Sequence, residues 1–378
     1  MSDTLSRRAL NRAMLDRQLL LRRSKMTALE AVEHLAGLQA QAPNPPYFAL
    51  WTRLHGFRQE DLASLLLDKS VVRIALMRGT VHLVTPSDAL AWRPIVQPLY
   101  DRSVLGNTQH GPDIKGLDHQ EIARTARKLL GERPLSSASL GAELAKHWEG
   151  VAPSSLVHVA RALLPLVQIP PRGVWGKSGQ PTYQTTGDWL GAEPETTPSP
   201  EAMFKRYLAA FGPASVQDAQ AWAGITKLGD VAERLRPELR TFRDENGREL
   251  FDLPEASRPD PDTPAPARLL GPFDQTVLSY ADRTRVISDE HRKVVITQNG
   301  LVKGTILVGG FVKGFWEIKT VKKAASVVIT PFERVPKRDL DTLESSAHRV
   351  LAWAHPQAET HSVHFVSECG SGVAENLD

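Results

Sequence analysis

Two glutamines separated by a single residue, Gln39 and Gln41, could position a water molecule. A glutamine amide offers one carbonyl acceptor and two N–H donors, so it orients water without acting as a strong base. The pair follows an apolar-periodic stretch, residues 28–38, which predicts a helix, and Pro43 and Pro45 oppose its continuation. From the spacing alone, the simpler interpretation is structural: glutamines that bond the last helical carbonyls or face solvent.

A second polar group lies on a predicted β-hairpin that follows the glutamines. Residues 71–77 and 80–84 form its predicted strands around the turn Arg78-Gly79. Side chains alternate along a strand, so Thr80 and His82 share one face. Contact with phosphate groups or with a nucleotide is one interpretation of this group. The other is an exposed turn arginine and a hydrogen-bonded core histidine, and the sequence leaves both open.

Further candidate side chains lie in the last third of the chain. Asp274, Asp282 and Arg283 are interpreted as members of structural ion pairs rather than as catalytic groups. Trp316 and Lys313 belong to a predicted strand and could stack near a nucleic acid. An aromatic side chain in a strand is more often part of the core, so that alternative stays open.

Neither a metal site nor a phosphate-binding glycine loop is expected. The twelve histidines are scattered, and residues 359–364 contain no His-Glu-x-x-His pattern. Gly309-Gly310 is followed by a predicted strand instead of a helix. The single cysteine, Cys369, cannot form an intrachain disulfide. We therefore expect no metal, no cofactor and a reducing compartment, the cytoplasm.

The composition is that of an ordinary globular protein with two or three modules. The chain has 378 residues, of which 41% are hydrophobic and 24% are charged. No run of about 18 apolar residues occurs, and the start of the chain is rich in arginine. We expect neither a membrane span nor a secretion signal, and we expect a monomer.

Charge is segregated along the chain, although the net charge is only +3. Residues 1–26 carry seven basic and two acidic side chains, whereas residues 244–262 carry seven acidic ones. A second basic stretch contains Lys303, Lys313, Lys319, Lys322 and Lys323. One face could therefore be positive and bind nucleic acid, but two solvated surfaces without a partner fit the charges equally well.

An order of three helices followed by two strands occurs three times. The first copy has predicted helices at 28–38, 47–54 and 60–67 and strands at 71–77 and 80–84. The second has helices at 121–130, 140–148 and 154–164 and strands at 166–169 and 182–185. The third has helices at 202–211, 216–222 and 228–235 and strands at 239–243 and 249–253. Three helices and a β-hairpin form a winged helix, so we predict three winged helices in tandem.

A Pro-rich segment, residues 254–266, predicts a boundary with few interior contacts. The following segment is predicted as an antiparallel β module closed by a helix at 338–354. Its predicted strands are 294–297, 301–308, 311–319 and 326–330, the first two flanking the hairpin signal Asn299-Gly300. The fold class is therefore α+β. Winged helices are expected at 1–105, 106–192 and 193–255, and the β-rich module at 256–378.

Five short motifs occur in one order along the chain. They are Gln39-Ala-Gln41-Ala-Pro, Arg78-Gly-Thr80-Val-His82, Gly271-Pro-Phe-Asp274, Tyr280-Ala-Asp282-Arg283 and Gly309-Gly-Phe-Val-Lys313-Gly-Phe-Trp316. With these motifs, over nearly its whole length, the chain resembles the AlkZ-like winged-helix DNA glycosylases. The resemblance implies a C-shaped scaffold of three winged helices with a basic concavity and a catalytic Gln-x-Gln motif. Some relatives have aspartate at the second position; with Gln41, the chain resembles the branch associated with resistance to DNA-alkylating natural products.

The partner implied by the resemblance is double-stranded DNA with alkylated purines, including bulky adducts and interstrand cross-links. A purine alkylated at N7 is positively charged, so its glycosidic bond is weakened and the base leaves as a neutral molecule. The enzyme must then hold a water against C1′ and tolerate an oxocarbenium-like sugar. No lysine lies in residues 38–47, so Gln39 and Gln41 predict a monofunctional, water-using enzyme. The residues expected to contact DNA are Arg78, Thr80, His82, Lys303 and Lys313.

Two other classes of protein compete with this interpretation. A non-enzymatic winged-helix regulator explains the threefold repeat equally well, but it leaves the Gln-x-Gln and Arg-Gly-Thr-x-His motifs without a purpose. A scaffold that uses winged helices for protein contacts predicts no salt-dependent affinity for DNA.

Overall fold

A computed structural model describes residues 3–366, which form the predicted α+β chain. The sequence-based statement about Cys369 lies outside the described residues. The described chain begins with strand β1 (Thr4–Leu5) and helix α1 (Arg7–Arg17). The Ser6 hydroxyl accepts a hydrogen bond from the Ala9 N–H, which starts the helix at the point where its first N–H groups need a partner.

The first copy has three helices and two longer strands in the predicted order. It comprises α2 (Ala28–His34), β2 (Leu38–Gln39), α3 (Pro45–Arg53), α4 (Gln59–Leu67), β3 (Val72–Ala75) and β4 (Val81–Val84). Helix α2 ends at His34 and not at residue 38, because Ala36 and Gly37 adopt φ angles of 55° and 82°. A side chain at Gly37 would lie 2.5 Å from Val84, so glycine is required there. This sharp turn leaves Leu38 and Gln39 free to form the short strand β2.

The second copy repeats this order after three connecting helices. The connecting helices are α5 (Pro86–Ile95), α6 (Gln97–Gly106) and α7 (Gly111–Ile114). The copy itself comprises α8 (His119–Glu132), β5 (Leu135–Ser136), α9 (Ser137–Ala145), α10 (Pro153–Leu163), β6 (Leu166–Gln168) and β7 (Thr182–Thr185). A short helix, α11 (Thr186–Leu190), follows. As in the first copy, a two-residue strand lies between the first and second helices.

The third copy has the same order in a shorter form. It comprises α12 (Pro200–Phe211), α13 (Val216–Ala223), α14 (Gly229–Leu235), β8 (Arg240–Asp244) and β9 (Glu249–Asp252). Between its first two helices, Ala214 forms a single β-bridge to Phe251 of β9. The predicted helix-helix-helix-strand-strand order is therefore present three times, and the sequence missed the strand or bridge that follows the first helix of each copy.

Strand pairing joins the first two copies into one six-stranded sheet. The strand order is β2-β4-β3-β6-β7-β5, and β3 pairs with β6 in antiparallel orientation through Arg73↔Gln168 and Ile74↔Val167. The strands of the third copy form a separate sheet in which β8 pairs with β1 in parallel. A single cluster of buried apolar side chains contains residues of all three copies, for example Ile74, Leu156 and Trp222. The copies therefore share one core.

The last part of the chain contains a five-stranded sheet and a long helix. Its elements are β10 (Arg268–Leu270), α15 (Asp289–Val295), β11 (Gly304–Val308), β12 (Phe311–Val321), β13 (Ala324–Pro331), α16 (Lys337–Ala354) and β14 (Thr360–Phe365). The strand order follows the chain. The sheet is mixed and not purely antiparallel, because β14 returns after the helix and pairs in parallel with β13.

The predicted strand at 294–297 is wrong. Ser288 accepts the His291 N–H and starts a helix that includes Val294, so the local cap overrides the β preference of the valines. The predicted hairpin around Asn299-Gly300 is reduced to a single bridge between Ile296 and Val302.

The Pro-rich segment also departs from its prediction, since arginines of α1 hold its backbone. Arg8, Arg12 and Arg17 donate to the carbonyl oxygens of Pro261, Thr263 and Ser257, at 2.7, 2.7 and 3.3 Å. Arg12 and Arg17 are buried, and Arg17 forms a bidentate ion pair with Asp252. Part of the basic N-terminal stretch is therefore internal structure and not a free positive surface.

A buried ion pair fastens the first copy to the C-terminal part. Arg53 of α3 donates to both carboxylate oxygens of Asp274 at 2.7 and 2.9 Å, and both side chains are almost fully buried. Burial alone would raise the pKa of Asp274, but the Arg53 guanidinium holds that pKa below its ordinary value. The next residue, Gln275, donates to the carbonyl of Gly37 in the turn before β2. This contact supports the turn that places Gln39.

We predict that Asp274→Asn lowers the free energy of unfolding by about 3–5 kcal/mol, because it leaves the Arg53 charge buried without its counterion. Urea unfolding followed by circular dichroism measures the change. The matched control is Asp262→Asn, which removes an exposed partner of Arg8 and should change stability by less than about 1 kcal/mol. Equal, small changes in both variants would show that the buried pair does not stabilise the junction.

Candidate active site

Gln39 and Gln41 lie at the end of a strand and not at the end of a helix. Gln39 is the last residue of β2, where it pairs with His82 of β4. The Ala40 N–H donates to the carbonyl of Val81 at 2.7 Å and extends this pairing by one residue. Gln41 follows in the loop before α3. The two glutamines therefore lie beside the predicted hairpin that carries the second polar group.

Arg78 fixes the orientation of the Gln39 amide. Gln39 is only 7% exposed, and its Oε1 accepts a hydrogen bond from Arg78 Nη2 at 2.9 Å. Because a guanidinium donates and never accepts, the carbonyl oxygen of the amide must face Arg78. The amide nitrogen, Nε2, consequently faces the other way.

The Gln41 amide is oriented by the backbone of the same hairpin. Gln41 is exposed, and its Oε1 accepts the Val81 N–H at 3.0 Å. Neither Gln41 Nε2 nor Gln39 Nε2 has a hydrogen-bond partner among residues 3–366. Neither amide therefore bonds a helical carbonyl within this part of the chain, whereas the exposure of Gln41 agrees with the solvent-facing form of the structural alternative. Each keeps two free N–H donors and one spare lone pair on its oxygen.

His82 is a neutral, fully buried histidine. Its exposure is 0%, its Nδ1 lies 3.0 Å from the Thr80 carbonyl oxygen, and its Nε2 lies 3.2 Å from Arg78 Nη2. Since the guanidinium can only donate, Nε2 accepts and Nδ1 carries the proton that bonds Thr80. Burial and the Arg78 charge lower the pKa of His82 to about 3. This burial matches the core-histidine alternative, and His82 lies opposite Gln39 in the β2–β4 strand pair.

Arg78 lies in a tight turn and is bonded inward. Its φ of 56° falls in the left-handed region, and its Nη1 donates to the carbonyl of Trp222 at the end of α13 at 2.7 Å. No carboxylate among residues 3–366 forms an ion pair with it. Burial and repulsion from Arg283 lower the pKa of Arg78 to about 10. Both terminal nitrogens are thus occupied by protein acceptors, which leaves Arg78 poorly placed for the predicted phosphate contact.

A second buried arginine, Arg73, was missed by the sequence reasoning. It is 1% exposed and donates from Nη2 to the carbonyl of Ala40, the residue between the glutamines, at 2.8 Å. Gly173, with a φ of 98°, lies so close that a side chain there would be 2.8 Å from Arg73 Nη1. No local sequence signal predicts this contact, because an arginine within a strand is ordinarily exposed.

The other predicted DNA contacts lie in different surroundings. The Thr80 hydroxyl donates to the Met77 carbonyl at 3.2 Å and closes the turn that holds Arg78. Lys303 lies over the ring of Phe315, 3.9 Å from its centroid. Lys313 forms an ion pair with Glu333. The structure therefore brings Arg78, Thr80 and His82 together with the glutamines, whereas the two lysines belong to the C-terminal sheet.

The remaining candidates of the C-terminal part are structural. Asp274 pairs with Arg53 and Asp282 pairs with Arg248, so both carboxylates form ion pairs with partners distant in sequence. Arg283 forms no ion pair among residues 3–366 and instead donates to the Tyr280 carbonyl. Trp316 is buried and donates from its indole to the carbonyl of Leu270 at 2.7 Å. It is therefore a core residue.

The site thus consists of two neutral amides, one neutral imidazole, the buried guanidinium of Arg73 and the partly buried guanidinium of Arg78. Within residues 3–366, no cluster of three or more histidine, cysteine, aspartate or glutamate side chains could hold a metal ion. No helix in the same part of the chain is long and apolar enough to cross a lipid bilayer. Such a set of side chains can orient a water molecule and donate hydrogen bonds, but it contains no strong base.

Comparison with protein families identifies the class of this enzyme. A model of the AlkZ-like DNA glycosylase family matches residues 32–353, which is most of the chain. The chain therefore belongs to the AlkZ-like DNA glycosylases. Membership of a family of enzymes also decides against the regulator and scaffold interpretations.

A relative and a solved structure also match the chain. The chain is 27% identical over 365 residues to the interstrand DNA cross-link repair glycosylase of Streptomyces sahachiroi, covering 89% of this chain and 93% of the relative. It shares the fold of the solved structure of Streptomyces sahachiroi DNA glycosylase AlkZ, with a TM-score of 0.77 and 23% identity. That match covers 96% of this chain and 100% of the solved one.

We predict that His82 makes stability fall on acidification. The folded chain keeps His82 neutral down to about pH 3, whereas the unfolded chain protonates it near its ordinary value of 6.5. The unfolded state therefore binds one more proton between these values, and lowering the pH from 6.5 to about 5 costs about 2 kcal/mol.

The measurement is urea unfolding of the wild type and His82→Gln at about pH 7 and about pH 5. The variant should lose less stability than the wild type on acidification, by roughly that amount. The control is His147→Gln at an exposed position, which should keep the wild-type pH dependence. An unchanged pH dependence in His82→Gln would show that His82 is not held neutral.

Proposed function

We propose that this DNA glycosylase hydrolyses the N-glycosidic bond of purines alkylated at N7 in double-stranded DNA, including bulky adducts and interstrand cross-links. The observation that carries the proposal is the arrangement of Gln39 and Gln41. Their amide oxygens are held by Arg78 and by the Val81 N–H, and their amide nitrogens are open. The relative named for interstrand cross-link repair supports the class of lesion.

The proposed reaction suits a site without a strong base. N7 alkylation gives the purine a positive charge, so the bond between C1′ and N9 breaks with its electron pair moving to the base. The base leaves neutral, and a water oriented by the glutamines adds to C1′ and releases its proton to solvent. The amides lower the barrier by positioning this water in a fixed polar environment. His82 does not protonate the base, because its pKa is lowered to about 3.

The same features support water rather than an amine as the nucleophile. No lysine lies in residues 38–47, and the charged groups that touch this segment are Arg73 and Arg78, which have no free nucleophilic form near neutral pH. The proposed enzyme is therefore monofunctional and leaves an abasic site without cutting the strand. Normal purines, which are poor leaving groups, survive.

For DNA binding, we infer that the three copies are winged helices arranged around a basic concavity, as in the C-shaped scaffold implied by the resemblance. Lys303 is the better candidate for a phosphate contact, since Lys313 is already paired with Glu333. Thr80 closes the turn, Arg78 bonds the Gln39 amide, and His82 accepts a bond from Arg78. Phosphate contacts position the protein on the duplex without reading the damaged base.

We predict that Gln39→Ala and Gln41→Ala each slow base release by about 100-fold or more, because each removes an oriented polar group at the reacting centre. The measurement is single-turnover release of N7-methylguanine from duplex DNA, with alkali-labile abasic sites as a second readout. Affinity for the duplex should change little. Gln41→Asp should keep measurable activity, since a carboxylate can still accept the Val81 N–H.

The matched control is Gln109→Ala, which truncates an exposed glutamine outside the site and should leave the rate unchanged. Near-wild-type rates in both Gln39→Ala and Gln41→Ala would remove the catalytic assignment. Strand cleavage together with base release would contradict the monofunctional mechanism.

We also predict a substrate range set by the charge of the leaving base. Guanines carrying an N7 methyl group or a bulky N7 substituent should both be released, whereas uracil and hypoxanthine should react poorly. A base tied to the opposite strand cannot rotate out of the helix, so the glutamines must reach C1′ while the base stays stacked. A rate series over these lesions in one duplex sequence measures this. Fast release of uracil, or loss of activity with modest bulk at N7, would instead indicate a base-flipping pocket.

A further inference from the structure

Arg78 joins three separate parts of the molecule at the candidate active site. Its Nη2 lies 2.9 Å from Gln39 Oε1 and 3.2 Å from His82 Nε2, and its Nη1 lies 2.7 Å from the Trp222 carbonyl oxygen. All three partners are acceptors for a guanidinium donor. From the turn between β3 and β4, Arg78 therefore bonds Gln39 of β2, His82 of β4 and Trp222 of the third copy.

The bond to Gln39 selects one of two amide orientations. The terminal torsion of a glutamine side chain is broad and roughly twofold, so the oxygen and the nitrogen exchange places at little cost unless a partner distinguishes them. Arg78 distinguishes them because it only donates. With Arg78 present, Gln39 directs its oxygen inward and its N–H groups away from Arg78.

The third copy determines where Arg78 can lie. Trp222, which provides the carbonyl acceptor, is buried at the end of α13 against Trp92 and Tyr207. Gly224, the residue directly after α13, packs against the turn that holds Arg78. A side chain at Gly224 would lie 2.8 Å from the backbone nitrogen and Cα of Arg78. The third copy thus contacts Arg78 at two points, with Gly224 against its backbone and the Trp222 carbonyl bonded to its guanidinium.

We propose that Arg78 is a positioning residue, which acts through Gln39 and holds its amide so that Nε2 is the group presented to the DNA. This inference rests on the proposed function, in which Gln39 takes part in base release. It replaces the phosphate contact predicted for Arg78 from the sequence. The role of Gln39 is then that of a hydrogen-bond donor at the reacting centre.

The first test separates positioning from DNA binding. Arg78→Met removes the donors and the charge, and Arg78→Lys keeps the charge and the stem but cannot bridge Gln39 and Trp222. Both should lower the single-turnover rate of N7-methylguanine release by about 100-fold. Both should leave the affinity for undamaged duplex within a few fold of the wild type, and Arg78→Lys is the variant expected to keep the fold. The matched control is Arg283→Met, which removes a neighbouring positive charge that does not bond Gln39 and should keep the wild-type rate.

Chemical rescue adds a readout that a merely structural role would not give. Millimolar guanidinium should restore part of the rate of Arg78→Ala, because the ion can occupy the vacated space and donate to Gln39 and Trp222. It should not restore Gln39→Ala. Urea, which has a similar shape and no charge, serves as the control for effects of denaturant on the protein.

Gln39→Glu tests the orientation without changing Arg78. Its carboxylate should pair with Arg78 and present no N–H donor, so the variant should be as slow as Gln39→Ala. Activity of Gln39→Glu near that of the wild type would overturn the donor role.

The outcomes for Arg78 and for Gln39 separate the positioning role from the proposed function. Wild-type rates in Arg78→Met and Arg78→Lys, or a loss of rate that only follows a loss of DNA affinity, would overturn the positioning role. Both results leave the proposed function intact, provided that Gln39→Ala is slow. A normal rate in Gln39→Ala would reject the proposed function itself.

Discussion

Buried guanidinium groups, which carry several N–H donors each, tie distant parts of this chain together. Arg17, Arg53, Arg73 and Arg285 are all buried, and each donates to carbonyl or carboxylate oxygens far away in sequence. The acceptors are mostly backbone carbonyls at the ends of helices and in turns, where the secondary structure itself leaves them unpaired. The arginines thus satisfy the ends of distant elements and hold those elements in a fixed relation.

The candidate active site is one instance of this arrangement. Arg73 holds the backbone of Ala40, and Arg78 holds the side chain of Gln39, so two guanidinium groups fix the segment with the glutamines. Neither arginine has a carboxylate partner among the described residues, and His82 stays neutral beside them. Such a site has almost no capacity to take up or release protons near neutral pH. In the proposed reaction, the lesion must therefore bring its own leaving-group charge.

Local patterns in the sequence predicted the elements but not their long-range contacts. Periodicity and capping residues located the helices of all three copies, because those signals act within a few residues. Strands β2 and β5 were not predicted, since a two-residue strand shows no alternation of polar and apolar side chains. Strand β14 was not predicted because its pairing with β13 depends on the helix between them. The motif around Gln39 and Gln41 marked a segment whose backbone and side chain two arginines hold, but its catalytic role stays a prediction. The contact between Arg78 and Gln39 could not be predicted, because it depends on two distant features. The turn at Gly37 places Gln39, and the Trp222 carbonyl of the third copy holds the Arg78 guanidinium.

Comparison of the three copies suggests why the first one holds the glutamines. In the second copy, α9 begins directly after β5, and the Ser136 hydroxyl accepts the Ser139 N–H as the helix cap. In the third, Ser215 follows the Ala214 bridge and caps α13 in the same way. In these two copies a serine at the end of the strand or just after the bridge therefore caps the helix. In the first copy, α3 begins only at Pro45, so five residues separate it from β2. With this longer loop neither glutamine caps α3, so the Gln39 and Gln41 amides bond Arg78 and the Val81 N–H instead.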